Sequence, residues 1–279
     1  MEQAIKDEEQ TKKSIYTVGG IAALIAALLF RKNIGSEFVM YREFGIIDWG
    51  PSPTPVTAEE WFTLLQDNVL LGLTLLDFFD IINYCLVSLV FITLYYVLRS
   101  TNEDYMTIAL ISGLIGVAVY FASNQAFSLL SLSNQYAAAS IGQKATILTA
   151  GEALLAIHNP GSVYQGTGIY LSHFLVSLSG LIIAIVMFQS SIFSKPTAYA
   201  GIIANGFVMG HFILLIIAPQ MTFLPYLIAS PALLIWYVLI SRKLYEFNSV
   251  KMEKGLLPRV IIVTAFVIYI LIPFLLIFL

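Results

Sequence analysis

The sequence predicts an all-α, polytopic membrane bundle, and three observations predict it. Of 279 residues, 58% are hydrophobic and 11% charged, whereas a soluble domain carries about 25% charged residues. Apolar runs of about eighteen residues or more recur along the chain, each long enough to cross a bilayer. Between the runs lie connections marked by charges and helix breakers. We read one integral membrane domain over residues 1–279 with seven spans, N-terminus inside and C-terminus outside, and two interfacial helices on the outer side. The lipid bilayer is its first partner. A net charge of −3 and the absence of a long Lys/Arg run exclude nucleic acid as another. Cys85 is the single cysteine, so an intrachain disulfide and a CxxC metal motif are both excluded. It is expected to pack as a small apolar side chain. No cofactor can be named from the sequence.

Span one covers residues 14–30. The preceding tail holds Glu2, Asp7, Glu8 and Glu9, and the run leads straight into Arg31 and Lys32, which fits an uncleaved span and not a signal peptide. Gly19, Gly20 and an alanine-rich face suit close helix packing. A polar stretch follows, with the breaker run from Gly50 to Pro55 flanked by Trp49 and Trp61 as interfacial anchors. Thr57 and Glu60 form a capping-box pattern that predicts a short interfacial helix of about ten residues.

Span two, residues 69–98, carries Asp77, Asp80 and Asn83 near its start. At roughly 100° per residue, Thr74, Asp77, Asp80, Tyr84 and Ser88 fall within an arc of about 120°, a stripe that lipid would not tolerate cheaply. The charged turn from Arg99 to Asp104 leads to span three, residues 105–130, with Gly113, Gly116, Tyr120, Ser123 and Asn124 roughly on one face. In the connection from Ser131 to Thr167, the segment Ala145–Ile157 repeats apolar residues at helical spacing. It is too short for a span and is read as the second interfacial or re-entrant helix. His158 falls in the loop after it. Spans four, five, six and seven cover residues 168–188, 199–217, 223–240 and 260–279. Pro273 is placed to kink the last of them.

Basic residues set the sidedness. With the N-terminus inside, Lys6, Lys12, Lys13, Arg99, Lys195, Arg242, Lys243, Lys251, Lys254 and Arg259 lie inside. Arg31, Lys32, Arg42 and Lys144 lie outside.

That orientation gives the intramembrane polar residues a common depth. At 1.5 Å per residue, Asp80 lies about 27 Å above the inner end of its span, with Asp77 one turn beyond, and Asn124 and Gln125 about 28 Å up theirs. His173 comes one turn below the outer end of span four, and His211 lies in the outer half of span five. Asp77, Asp80, Asn124, His173 and His211 are therefore expected to line a polar pocket in the outer leaflet that binds a small molecule or a lipid headgroup.

Two other chemistries use the same residues. Asp77, Asp80, His173 and His211 include the ligand types of a zinc site, and hence of a membrane-embedded metal-dependent hydrolase, although no HxxxH or HExxH spacing is present. Carboxylates beside histidines also suit a proton-coupled transporter. His173 and His211 could in principle ligate haem. A retinal protein is excluded, since residues 260–279 contain no lysine.

The end of span two, Leu94-Tyr95-Tyr96-Val97-Leu98-Arg99-Ser100-Thr101-Asn102, resembles the exit of the corresponding span in an uncharacterised prokaryotic membrane family, domain of unknown function 4386. So does the block running from Gly168 through His173, Gly180, Ser190 and Pro196 to Gly206. Ser100 stands where that family's pattern has proline. The resemblance covers residues 14–245 and leaves span seven as an addition. It implies a multi-span helical bundle in the cell membrane of a bacterium or archaeon, and no established activity.

Overall fold

The structure, a computed structural model, describes residues 13–29, 55–158 and 165–247. Among these, every regular element is a helix. Helix α1 spans Lys13–Leu29. It is followed by α2 (Ala58–Asp67), α3 (Val69–Leu75), α4 (Phe78–Leu98), α5 (Glu103–Ser123), α6 (Ala126–Ala138) and α7 (Ile141–Ile157). Then come α8 (Thr167–Gln189), α9 (Lys195–Ile217), a 3₁₀ turn at Pro219–Met221 and α10 (Leu224–Phe247).

Among the described residues, five stretches are long and apolar enough to cross a membrane: Phe78–Leu98, Glu103–Ala138, Thr167–Gln189, Lys195–Ile217 and Pro219–Phe247. Helices that are apolar all round must bury one face in protein and offer the other to lipid. Here Ala109, Gly113, Gly116 and Val117 of α5 are buried, while Ile108, Ile111 and Ile115 point outward. Helix α1, at 17 residues, falls at the short end of the spanning range.

With lipid as solvent, close approach and hydrogen bonds between helices replace hydrophobic contrast as the cement. Gly113 permits the α5–α8 contact: a Cβ there would lie 2.5 Å from the Phe91 ring and 2.7 Å from Ser179 Oγ. Ser179 Oγ in turn donates to the carbonyl of Ala109 at 2.6 Å. Gly19 of α1 meets Thr93 of α4 in the same way. Ser241 Oγ of α10 donates to the carbonyl of Gly20 at 2.8 Å, closing α1 against α10. The shared core holds alanines of α1 with Phe91, Leu94, Met106, Ile183, Trp236 and Ile240.

At the end of the bundle where α4 begins, α2, α3, α6 and α7 build a cap with its own core. Trp61, Phe62, Leu65, Leu73, Leu76, Leu129 and Leu155 fill it. The capping box anticipated at Thr57 and Glu60 is present at the start of α2. Glu152 of α7 adds a bond from farther away, its Oε1 accepting from the Ala58 N–H at 2.8 Å. Trp61 is a core residue, 0% exposed, and not the interfacial anchor its position next to a breaker run predicts.

The structure differs from the sequence expectations at several points. Span two is two helices: the chain breaks at Leu76 and Asp77, where Asp77 adopts φ 58° and ψ 28°, in the left-handed region. Span three breaks at Asn124 and Gln125 and continues as α6 to Ala138. Helix α7 starts at Ile141, four residues before the apolar repeat, because a capping box at Ser140 and Gln143 opens it. Helix α10 runs through Phe247, since the apolar face persists while Glu246 pairs with Arg242 at 3.4 Å and with Lys243 at 3.2 Å. Polar residues there end the apolar stretch without ending the helix. Cys85 is exposed on α4 instead of packed inside. The seventh span (260–279), Trp49 and most of the breaker run lie outside the described residues.

Candidate functional site

The two helix breaks lie side by side. Asn124 Nδ2 donates to the Leu76 carbonyl and to the Tyr120 hydroxyl, each at 3.4 Å, while its Oδ1 accepts from the Ala126 N–H at 3.0 Å and opens α6. The Tyr120 hydroxyl reaches the Asp77 carbonyl at 3.5 Å. Asn124, expected to line the pocket, thus joins one interrupted helix to another.

Just inside this seam stands an aromatic stack. The Tyr84 and Tyr120 rings lie parallel, 4.2 Å apart with an interplanar angle of 2°. The His173 imidazole is 6.3 Å from each. The spacing explains the arrangement: Tyr84 lies one turn after Asp80, and Tyr120 one turn before Asn124, so each ring falls on the polar stripe of its helix. Asp80 is within electrostatic reach of both hydroxyls, and Asp77 of the Tyr120 hydroxyl. Both aspartates are half-buried, as is His173.

His211 faces the same region from α9. Its Nδ1 lies 2.9 Å from the Thr222 carbonyl. A carbonyl only accepts, so Nδ1 carries the proton and Nε2 is left as an acceptor. Tyr226 packs on this imidazole at 4.8 Å and Tyr170 at 6.1 Å. His158, expected in a loop, is a buried C-cap of α7 whose Nδ1 donates to the Gln165 carbonyl at 2.7 Å. The Gln165 N–H donates to the Tyr170 hydroxyl at 3.1 Å. This chain of contacts runs from the cap to the His211 side of the bundle.

Of the five residues named from sequence, Asp77, Asp80, Asn124 and His173 surround the Tyr84–Tyr120 pair. His211 borders it through Tyr170 and Tyr226. The two tyrosines were missed as site residues, because tyrosine in a membrane protein reads as core or interfacial belt. Their i+4 spacing from Asp80 and to Asn124 is the signal that marks them.

A polar, aromatic-walled site with two carboxylates and two imidazoles can hydrogen-bond a ligand, hold an organic cation or pass a proton. For a metal, ligands must converge on one point. Among the described residues, no group of three or more His, Cys, Asp and Glu side chains does so. Asp77, Asp80, His173 and His211 are neighbours of the stack without forming such a group.

The model of a family described as a domain of unknown function (DUF4386) matches residues 15–241. The chain belongs to the DUF4386 family. The match takes in the bundle from α1 to most of α10, together with the cap and every residue of the stack. No curated protein and no solved structure matches the chain.

Proposed function

We propose that this DUF4386 protein binds a small molecule or lipid headgroup in the polar site between its cap and its bundle. The single observation that carries this reading is the parallel Tyr84–Tyr120 pair flanked by His173. Four separate helices place polar groups around it at one level. Such grouping inside an apolar bundle is costly unless the groups are bonded, hydrated or ligand-filled. Asp77, Asp80, Asn124, His173 and His211 form the lining, and the chain acts by binding and not as an enzyme.

The proposal includes a seven-span topology, with α1 as the first crossing and residues 260–279 as the last. The N-terminus and the α4–α5 turn then lie inside, the cap and the pocket outside. The membrane is the plasma membrane of a prokaryote.

The test is native mass spectrometry of the protein purified in nanodiscs. A retained small molecule or lipid is expected on the wild type, with occupancy reduced at least tenfold in Asp80→Asn and His173→Ala. An unchanged set of adducts in both variants overturns the proposal. Stoichiometric zinc lost from the double variant His173→Ala/His211→Ala would replace it with a metal-dependent hydrolase. Proton-coupled flux in liposomes, abolished by Asp77→Asn, would replace it with a transporter.

A further inference from the structure

Beside the stack, two buried side chains lack hydrogen-bond partners. Asn83 is 1% exposed, and neither its Nδ2 nor its Oδ1 is bonded; Ser172, 0% exposed, has an unbonded Oγ. The other buried serines and asparagines of the bundle behave differently. Ser179 bonds to the Ala109 carbonyl, Ser177 to Phe174, Ser190 to Met187, Ser241 to Gly20 and Asn205 to Gly201.

The two exceptions sit at one level. Asn83 precedes Tyr84 and Ser172 precedes His173, and the Tyr84 and His173 rings are 6.3 Å apart. Asn83 shares its helix face with Val87, Val90 and Leu94, all buried, so it faces the bundle interior. Ser172 is held where α8 presses on α5: a Cβ on Gly116 would lie 3.1 Å from the Ser172 carbonyl. The Tyr84 hydroxyl lies close to Ser172 Oγ without completing a well-formed bond.

A carboxamide offers two donors and an acceptor, and a serine hydroxyl offers one of each. Leaving both unsatisfied in an apolar interior is costly. The complementary group must donate and accept at once, and an uncharged group does so without adding a second buried charge beside Asp80, one turn from Asn83. A hydroxyl does both through one atom, and adjacent hydroxyls on one ligand reach two such sites.

We propose that Asn83 and Ser172 form an inner subsite that takes the adjacent hydroxyls of a neutral, polyol-type ligand. This rests on the reading of the outer site as a binding pocket and names the chemistry of what enters it.

The test uses the purified full chain with two tritiated probes, 1-monooleoylglycerol and free glycerol, measured by scintillation proximity. Saturable binding of one probe is expected, weakened at least tenfold in both Asn83→Leu and Ser172→Ala. Whichever probe binds separates a lipid source of the hydroxyls from a soluble one. Ser172→Ala removes a single atom, so it keeps the inference testable should Asn83→Leu not fold. Saturable binding that is unchanged in the variants, or absent for both probes, overturns the subsite. Binding lost in His173→Ala but kept in Asn83→Leu and Ser172→Ala leaves the outer pocket standing and removes only the subsite.

Discussion

His158 carries a pH dependence that can be worked out from its surroundings. It is buried at the end of α7, and desolvation holds its pKa below the ordinary value of 6.5, partly offset by its bond to the Gln165 carbonyl. Burial disfavours the imidazolium. The unfolded chain therefore binds the proton more tightly than the folded one, and stability rises with pH across this window. The contribution is complete above about pH 6.5 and is lost as pH falls toward the lowered folded value. Acidification from pH 7.5 to 5.5 should therefore lower the protection of the amides at the C-terminal end of α7, taken as their exchange relative to the intrinsic, hydroxide-catalysed rate at each pH. His158→Gln should flatten that dependence, since the amide can still donate to Gln165 and does not titrate. Hydrogen exchange at the two pH values, each corrected for its intrinsic rate, decides it, and an equal loss of protection in wild type and variant would show that another group is responsible.

At the scale of elements, the decisive features are the breaks that separate cap from bundle. The α2 start was legible in the sequence because its signal is local: the Thr57 and Glu60 side chains each accept from the other's backbone N–H within one turn. The α3–α4 break was not legible. Residues 69–98 contain no proline, and the glycine at 72 lies inside α3, so the break falls on an aspartate held left-handed by tertiary contacts. Asp80 N–H bonds to the Asp77 carbonyl at 3.0 Å, and Leu76 and Asp77 also receive the side chains of Asn124 and Tyr120. A left-handed residue with a Cβ costs about 1–2 kcal/mol, and glycine escapes that cost. Asp77→Gly should then keep the break with an unchanged or higher Tm, whereas Asp77→Val should lose about 1–2 kcal/mol. Thermal unfolding in one detergent separates them. Because the glycine variant removes the carboxylate while keeping the turn, it also distinguishes what Asp77 does for the backbone from what it does for a ligand. A Tm drop in Asp77→Gly as large as in Asp77→Val would assign the break to the side chain.

For the whole molecule, helix content and the long apolar helices followed from composition and run length, since lipid demands internally bonded backbone. The level shared by Asp80, Asn124 and His173 was readable by counting rise along each helix, whereas the ring stack at its centre needed relative helix rotation, which periodicity alone does not supply. Orientation is the global property on which access to the proposed pocket depends. The α4–α5 turn carries Arg99, and the opposite end carries the cap with Lys144 as its one described basic residue. Basic residues are retained on the cytoplasmic side, so the cap should face outward. The measurement is labelling of intact cells by a membrane-impermeant maleimide, in a Cys85→Ala background that removes the single native thiol. Ser140→Cys, exposed at the start of α7, should react, and Ser100→Cys, exposed in the α4–α5 turn, should react only after lysis. The reverse pattern would turn the molecule over and open its polar layer to the cytoplasm, making any ligand a cytosolic or inner-leaflet one. Labelling of both positions in intact cells would mean mixed insertion, which ten basic residues against four argue against.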